Sequence, residues 1–296
     1  MSTERAPAKI NLCLFLGPTR PADGRHELVS VMQSLSLADV LTLAPAAPGA
    51  DADEVVCPGV EGPNLAGAAL AAFRAATGWA APPHRLEIVK RVPVAAGMGG
   101  GSGDAAAALR LAARAAGRAA DEALLMELAA GLGADVPAQV RPGRALATGA
   151  GERVERLADG APFGVLVLPG RRPLSTAAVY AEADRLGLPR DAGDLAARLA
   201  EVREALGRHG DLPPHLYVND LQPAALALAP EIAQALDEAR GAGADVAMVS
   251  GSGPTVLGLF LGPHGPRRAR AAATYALDGR DPAPLVAAPE PGWPAP

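Results

Sequence analysis

Residues 8–16 alternate strictly: Ile10, Leu12, Leu14 and Leu16 fall on one side, Lys9, Asn11, Cys13 and Phe15 on the other. A period of two marks a β-strand, so the pattern predicts a strand that carries Lys9 and Asn11 on one face. Runs rich in Val, Leu and Ile predict further strands at 28–37, 40–43, 85–90, 163–168, 245–249 and 256–261, with at most a short one around Val55. Between them, stretches of helix-forming residues predict helices at 64–76, 105–116, 121–132, 176–187, 195–207, 221–228, 231–242 and 267–277. Asn64 is placed to cap the first of these. Residues 17–26 and 45–62 collect Gly, Pro and Asp and read as loops. Strands and helices interleave without regular βαβ spacing, which predicts the α+β class. The pattern changes at 148–157, which reads as a seam. Two domains are expected, 1–157 and 158–282, followed by a Pro-rich tail, 283–296, expected to be disordered.

The strand at 85–90 and the helix at 105–116 are joined by Pro93-Val94-Ala95-Ala96-Gly97-Met98-Gly99-Gly100-Gly101-Ser102-Gly103-Asp104, with five glycines in seven residues. Bare backbone approaches a ligand closely and adopts positive φ without a Cβ penalty. A glycine loop that opens a helix presents unpaired N–H groups and the positive end of the helix dipole. That combination binds phosphate. The loop is not a Walker A motif, which ends in Gly-Lys-Ser/Thr, because no lysine follows its glycines. Nor is it a dinucleotide fingerprint, because Ser102 or Asp104 stands where the last glycine belongs. Ser102 is placed to cap the helix, contact phosphate or bind Mg²⁺, and Asp104 to sit in the first helical turn.

Composition narrows the picture. The 296 residues suffice for two modest domains, and at 49% hydrophobic but 3% aromatic the core must be Ala, Val and Leu. A net charge of −5, with no basic cluster beyond Arg267-Arg268-Ala269-Arg270, argues against a nucleic-acid partner. No apolar run reaches the ~18 residues of a membrane span. The N-terminus lacks an apolar signal core, and Cys13 and Cys57 are the only cysteines, so a cytoplasmic protein is expected. Of 27 basic residues only Lys9 and Lys90 are lysines. A chain that uses arginine wherever it will serve keeps lysine where a compact ammonium matters. That points to function for Lys9 and, more weakly, to a nucleotide contact for Lys90.

The sequence Pro-x-x-x-Gly-Met-Gly-Gly-Gly-Ser-x-Asp-Ala-Ala-Ala resembles the phosphate-binding motif of the GHMP kinases. Ala6-Pro7-Ala8-Lys9-Ile10-Asn11-Leu12 resembles their first motif, and Val249-Ser250-Gly251-Ser252-Gly253-Pro254-Thr255 their third. Ala22-Asp23-Gly24-Arg25-His26-Glu27-Leu28, Asn64-Leu65, Gly133-Ala134-Asp135-Val136-Pro137 and Asn219-Asp220-Leu221 resemble the branch of the family that phosphorylates a cytidine-diphosphate alcohol. The resemblance implies an N-terminal domain like the second domain of ribosomal protein S5 and a ferredoxin-like C-terminal domain. It implies phosphoryl transfer from ATP with Mg²⁺, Asp135 as base and Lys9 beside it, although the bare sequence by itself reads Asp135 as a turn residue. ATP would lie on the 93–103 loop with Asn64 and Leu65 near adenine. The substrate would meet Asn11 at the polyol, and Arg25, His26 and Tyr180 at cytosine. The metal ligands are not assigned, and either a monomer or a homodimer is compatible. Another small-alcohol kinase of the homoserine kinase type, or a non-catalytic ligand sensor on the same fold, are the alternatives. Two residues depart from the family pattern. Arg25 stands where a stacking tyrosine is usual, and Gly103 stands where serine or alanine is common, which is expected to alter loop flexibility more than chemistry.

Overall fold

A computed structural model describes residues 1–118 and 121–293. Strands β1 (Ser2–Thr19) and β2 (His26–Pro45) form one long antiparallel hairpin, paired from Ser2 with Leu43 to Thr19 with His26. Both faces of β1 are covered, so it extends well beyond the alternating stretch that revealed it. The other edge of β2 serves two neighbours. It pairs with β5 (Arg144–Thr148) at Ser30–Gln33 and with β4 (His84–Val89) at Val40–Pro45. The two strands expected at 28–37 and 40–43 are therefore one. The polar break between them is Asp39, whose fully buried carboxylate accepts from the N–H groups of Arg91 and Val92. Strand β3 (Glu54–Val56) lies parallel to β4, and β6 (Arg153–Arg156) closes a hairpin with β5. The 148–157 stretch, read as a seam, is thus part of that hairpin, and the chain enters the second sheet only at Phe163.

Helices α1 (Leu65–Thr77), α2 (Gly100–Ala115), α3 (Glu122–Leu132) and the short α4 (Val136–Val140) pack on this sheet. Asn64 caps α1 as expected, its side chain accepting from Ala66 N–H at 2.9 Å. The buried face of α2 is mostly alanine, Ala105 to Ala108 with Ala112 and Ala113, and it packs closely against α1 and β1. Methyl-sized side chains permit that close approach, which is how a core nearly free of aromatics fills its space.

The second sheet holds β7 (Phe163–Leu168), β8 (Val246–Val249), β9 (Val256–Leu261) and β10 (Leu285–Ala287) in the antiparallel order β10-β7-β9-β8. Helices α5 (Thr176–Arg185), α6 (Ala192–His209), α7 (Gln222–Leu228) and α8 (Ile232–Gly241) separate β7 from β8, and α9 (Gly265–Ala271) precedes β10. This is the ferredoxin-like order, and the class is α+β. One apolar cluster runs between the sheets, joining Phe15 and Val31 to Leu195, Val202 and Leu257.

The tail is not disordered where it is described. Leu285, Val286 and Ala287 pair with Val167, Leu166 and Val165, covering the edge of β7. Beyond them Glu290 N–H donates to the Ser34 carbonyl at 2.8 Å, and the Glu290 carboxylate meets Arg5 at 2.6 Å. Arg110 lies 5.0 Å from the centre of the Trp293 ring. Proline excludes helix here but not an edge strand and its anchors; residues 294–296 lie outside the described part.

Candidate active site

A cleft of about 910 Å³ lies between the sheets, lined by the glycine loop, β1, the loop before β2, the start of α1, α5 and the turn between β8 and β9. The twelve residues 93–104 are not all placed alike. Pro93, Val94, Ala95, Ala96, Gly97, Met98, Gly99, Gly100, Gly101 and Ser102 line the cleft, whereas Gly103 does not. The helix starts inside the glycine run. Gly99 is its N-cap, in the left-handed region at φ 66°, ψ 23°, and no side chain caps it. Ser102 is therefore a first-turn residue rather than the cap. The N–H groups of Gly100, Gly101 and Ser102 have no partner four residues back, so they face the cleft end of a 16-residue helix. This arrangement fits a polyphosphate.

Two segments hold the loop. Lys9 N–H donates to the Met98 carbonyl at 2.9 Å, and the Ser250 hydroxyl donates to the Gly97 carbonyl at 3.0 Å. Gly97 (φ 70°) comes so close to the third glycine segment that a Cβ would stand 2.1 Å from the Ser250 carbonyl oxygen. Asn219 braces that segment in turn, donating to the carbonyls of Val249 and Gly251. Gly103 lies beyond the loop. It is buried in α2, where a Cβ would lie 3.0 Å from the Pro7 carbonyl oxygen.

Lys9 and Asp135 meet across the cleft, with Nζ 3.2 Å from a carboxylate oxygen. Lys9 is almost wholly buried, while Asp135 is about one-third exposed at 35%. Asp135 precedes α4 but makes no capping hydrogen bond, so the turn-capping reading fails for its side chain. Lys9 Nζ also donates to Asn11 Oδ1 at 2.9 Å, as their shared strand face requires. Asn11 Nδ2 donates to the Ser30 hydroxyl, which donates to the Cys13 carbonyl. The Asn11 amide is thus engaged at both ends, and it holds Lys9 toward Asp135. Ser30 was not identified from the sequence, since a lone serine in an apolar strand gives no signal there.

Lys90 also lines the cleft. Its ammonium bridges Asp39 and Asp104, the latter at 2.7 Å. Asp104 lies in the second turn of α2 rather than the first. Burial pushes its carboxyl up to about 6; Lys90 opposes the shift and Asp39 adds to it. Burial pulls the Lys90 ammonium down, but the Asp104 and Asp39 carboxylates outweigh it and leave its pKa raised. Lys90 thus joins the end of β4 to β2 and α2 at the floor of the cleft. Asn64 and Leu65 line the same region, together with Cys57, Val60 and Pro63.

The opposite wall holds Arg25, His26 and Tyr180. Burial pushes the Tyr180 phenol up to about 12, with Asp135 adding to the shift. The His26 and Tyr180 rings are 5.6 Å apart and tilted by 36°, so they pack on each other and leave no slot between them for a base. Arg25 is 53% exposed and 3.8 Å from Asp23. Asp184, one turn beyond Tyr180 on α5, also lines this wall and contacts His26. Among the described residues, no group of three or more His, Cys, Asp or Glu is arranged to hold a metal ion, and no helix is long and apolar enough to cross a membrane.

A glycine loop opening a buried helix, set against a lysine–aspartate pair between an N-terminal sheet and a ferredoxin-like one, defines a class of small-molecule kinases. The chain belongs to the GHMP kinases: residues 64–143 match the model of their N-terminal domain and residues 192–278 that of their C-terminal domain. Within that family, it is 44% identical to the 4-diphosphocytidyl-2-C-methyl-D-erythritol kinase of Streptomyces coelicolor over 86% of this chain and 85% of that one. It is also 44% identical to the enzyme of the same name from an Anaeromyxobacter species, over 93% and 84%. A crystal structure of 4-(cytidine 5'-diphospho)-2C-methyl-D-erythritol kinase superposes with a TM-score of 0.73 at 33% identity, covering 97% of this chain and 98% of that one. Homoserine kinase from Cytophaga hutchinsonii superposes at 0.70 with 15% identity over 99% and 95%, a likeness of fold alone.

Proposed function

We propose that this chain transfers the γ-phosphoryl group of ATP to the 2-hydroxyl of 4-diphosphocytidyl-2-C-methyl-D-erythritol, a step toward isoprenoid precursors by the non-mevalonate route. The observation that carries the reading is the Lys9–Asp135 pair, 3.2 Å apart, in one cleft with the open N-terminus of α2. The relatives at 44% identity supply the substrate.

The first-turn N–H groups of α2 hold the triphosphate, and Asn64 and Leu65 border the adenine. The substrate hydroxyl lies between Asp135 and the γ-phosphate. Its oxygen bonds to phosphorus as the bond to the β-phosphate oxygen breaks, and ADP leaves. The hydroxyl proton passes to Asp135. Lys9 stabilises negative charge on the acceptor oxygen, held in place by Asn11 rather than by its own flexible stem. Asn11 therefore positions Lys9. The Ser102 hydroxyl, in the first turn of α2 on the cleft wall, would be placed to hold Mg²⁺, which would supply charge neutralisation to the triphosphate. Arg25 and Tyr180 border the cytosine, and the Arg25 guanidinium supplies a planar cation where the family usually stacks a tyrosine.

The test is ADP release by the purified protein with Mg-ATP and the cytidyl alcohol, beside homoserine and mevalonate. Turnover with the cytidyl alcohol alone is expected. Turnover with homoserine alone would overturn the substrate and keep the kinase.

A further inference from the structure

The third glycine segment turns on itself beside the phosphate loop. Gly253 N–H donates to the Ser250 carbonyl at 2.7 Å and Gly251 has φ 53°, so residues 250–253 form a tight turn. Its central peptide joins Gly251 to Ser252, and turn types differ in which way that peptide faces. Here the direction is fixed from behind. The buried Asn219 donates to the Gly251 carbonyl at 2.7 Å and to the Val249 carbonyl at 2.8 Å, while its own Oδ1 accepts from Leu221 N–H at 3.0 Å. The segment that carries Asn219 is pinned to β1. Leu14 N–H donates to the Val218 carbonyl at 2.7 Å, and Asp220 N–H donates to the Leu14 carbonyl at 2.9 Å. Gly251 and Ser252 line the active-site cleft, whereas Asn219 lines a separate cavity behind them. A trans peptide points its C=O and N–H in opposite directions. With the Gly251 carbonyl turned back to Asn219, the Ser252 N–H is turned to the cleft, and it meets no acceptor among the described residues.

We propose that Asn219 is a positioning residue for phosphoryl transfer: its amide holds the Gly251–Ser252 peptide so that the Ser252 N–H donates to the γ-phosphate of ATP. The inference rests on the kinase reading above and deepens it. The place fits that group. A Cβ on Gly251 would lie 3.1 Å from the Gly97 carbonyl oxygen of the phosphate loop and 3.6 Å from Asn11 Oδ1, the atom that receives Lys9 Nζ. The donor thus stands between the loop that holds the triphosphate and the lysine that meets the acceptor alcohol. A fixed backbone N–H there needs no reorganisation as charge builds on the transferred group. Asparagine suits the task, because its amide puts two N–H bonds on one atom to serve two carbonyls while its oxygen accepts a third bond. Aspartate has the same shape but only accepts, so it would repel both carbonyls and release the peptide. Gln222 provides an internal contrast. Its Oε1 accepts from Val249 N–H at 2.9 Å, so it braces the same segment without touching the Gly251–Ser252 peptide.

The experiment is calorimetric titration of the full chain with Mg-ADP and with the magnesium complex of a non-hydrolysable ATP analogue. The ratio of the two affinities reads the contacts made to the γ-phosphate alone. Asn219→Asp and Asn219→Ala are each expected to weaken the analogue about tenfold relative to wild type, as the loss of one charge-assisted hydrogen bond does, and to leave ADP binding unchanged. Asn219→Ala carries the test if the buried charge of aspartate prevents folding. Gln222→Ala is expected to keep the wild-type ratio. An unchanged ratio in the Asn219 variants, or an equal fall for both nucleotides, would make Asn219 a brace of the fold alone and overturn the proposal; so would the same shift in Gln222→Ala. Wild-type turnover of the cytidyl alcohol is scored separately. Its absence, with the ratio shifted in the Asn219 variants, would sink the proposed reaction and leave Asn219 in its role at the γ-phosphate. Turnover with an unshifted ratio would sink the role of Asn219 alone.

Discussion

Lys9 shows how far a single side chain can be read. The alternation of β1 puts it on the face of Asn11, and the structure turns that shared face into a 2.9 Å hydrogen bond. Its meeting with Asp135, 126 positions later in the chain, could not be read from spacing. Replacing Asp135 with Asn removes the proton acceptor but keeps the shape. We expect kcat to fall about 100-fold or more with little change in the affinity for ATP, measured by steady-state kinetics and nucleotide titration. Unchanged turnover would dismiss Asp135 as the base. Arg25 is open to solvent at the cleft wall that holds His26 and Tyr180. Arg25→Ala should raise the KM for the cytidyl alcohol about tenfold, the loss of one cation–π or charged contact, and leave the KM for ATP alone. Equal rises in both would place Arg25 outside base recognition. The scarcity of lysine singled out two positions that both demand a compact ammonium. It could not show that both line one cleft, or that Lys90 is paired there with two carboxylates.

At the scale of elements, the glycine loop depends on what grips its ends. Asp39, in the middle of β2, accepts from Arg91 and Val92 where the loop begins, and Lys90 carries the link to Asp104 in α2. The two carboxylates should respond differently to neutralisation. Asp39→Asn puts an amide N–H among donors that need an acceptor and costs about 3 kcal/mol, the scale of a broken buried ion pair. Asp104 has a pKa pushed from 3.8 to about 6, so the folded chain holds its proton more tightly than the unfolded one. Its contribution to stability is complete below about pH 4 and is lost as pH rises through about 6. Asp104→Asn therefore removes a charge that is unfavourable at pH 7.5, and its Tm there should match or exceed that of wild type while Asp39→Asn falls well below. Thermal melts of both variants at pH 5 and 7.5 check this. A Tm for Asp104→Asn far below wild type at pH 7.5 would refute it. The same ladder explains a misread element: the polar break at Asp39 looks like a turn in sequence because nothing local announces that a carboxylate there is buried and satisfied.

At the scale of the whole molecule, the cleft exists because two sheets share an apolar seam and are strapped together at the C-terminus. Strand β10 completes the second sheet, and the segment after it returns to the first, where Glu290 meets Arg5 and Ser34. Ending the chain at residue 283 should lower Tm by about 5 °C or more, because it bares the edge of β7 and leaves Arg5 without its carboxylate. It should also raise the KM for both substrates, since the cleft proposed to hold them lies between the strapped parts. A truncated chain with wild-type Tm would show the strap to be ornamental. The sequence by itself determined the elements with strong local signals: the alternating β1, the capped α1, the glycine run opening a helix, and the α+β class. It also carried the family resemblance, because these motifs are short and contiguous. Only the tertiary structure decided where α2 begins, that Lys90 is enclosed by Asp39 and Asp104, that the Pro-rich tail is a strand and strap, and that Asp184 stands beside His26. Each of those depends on groups far apart in the chain, and a local pattern records a residue's neighbours in sequence, not the partners that burial obliges it to find.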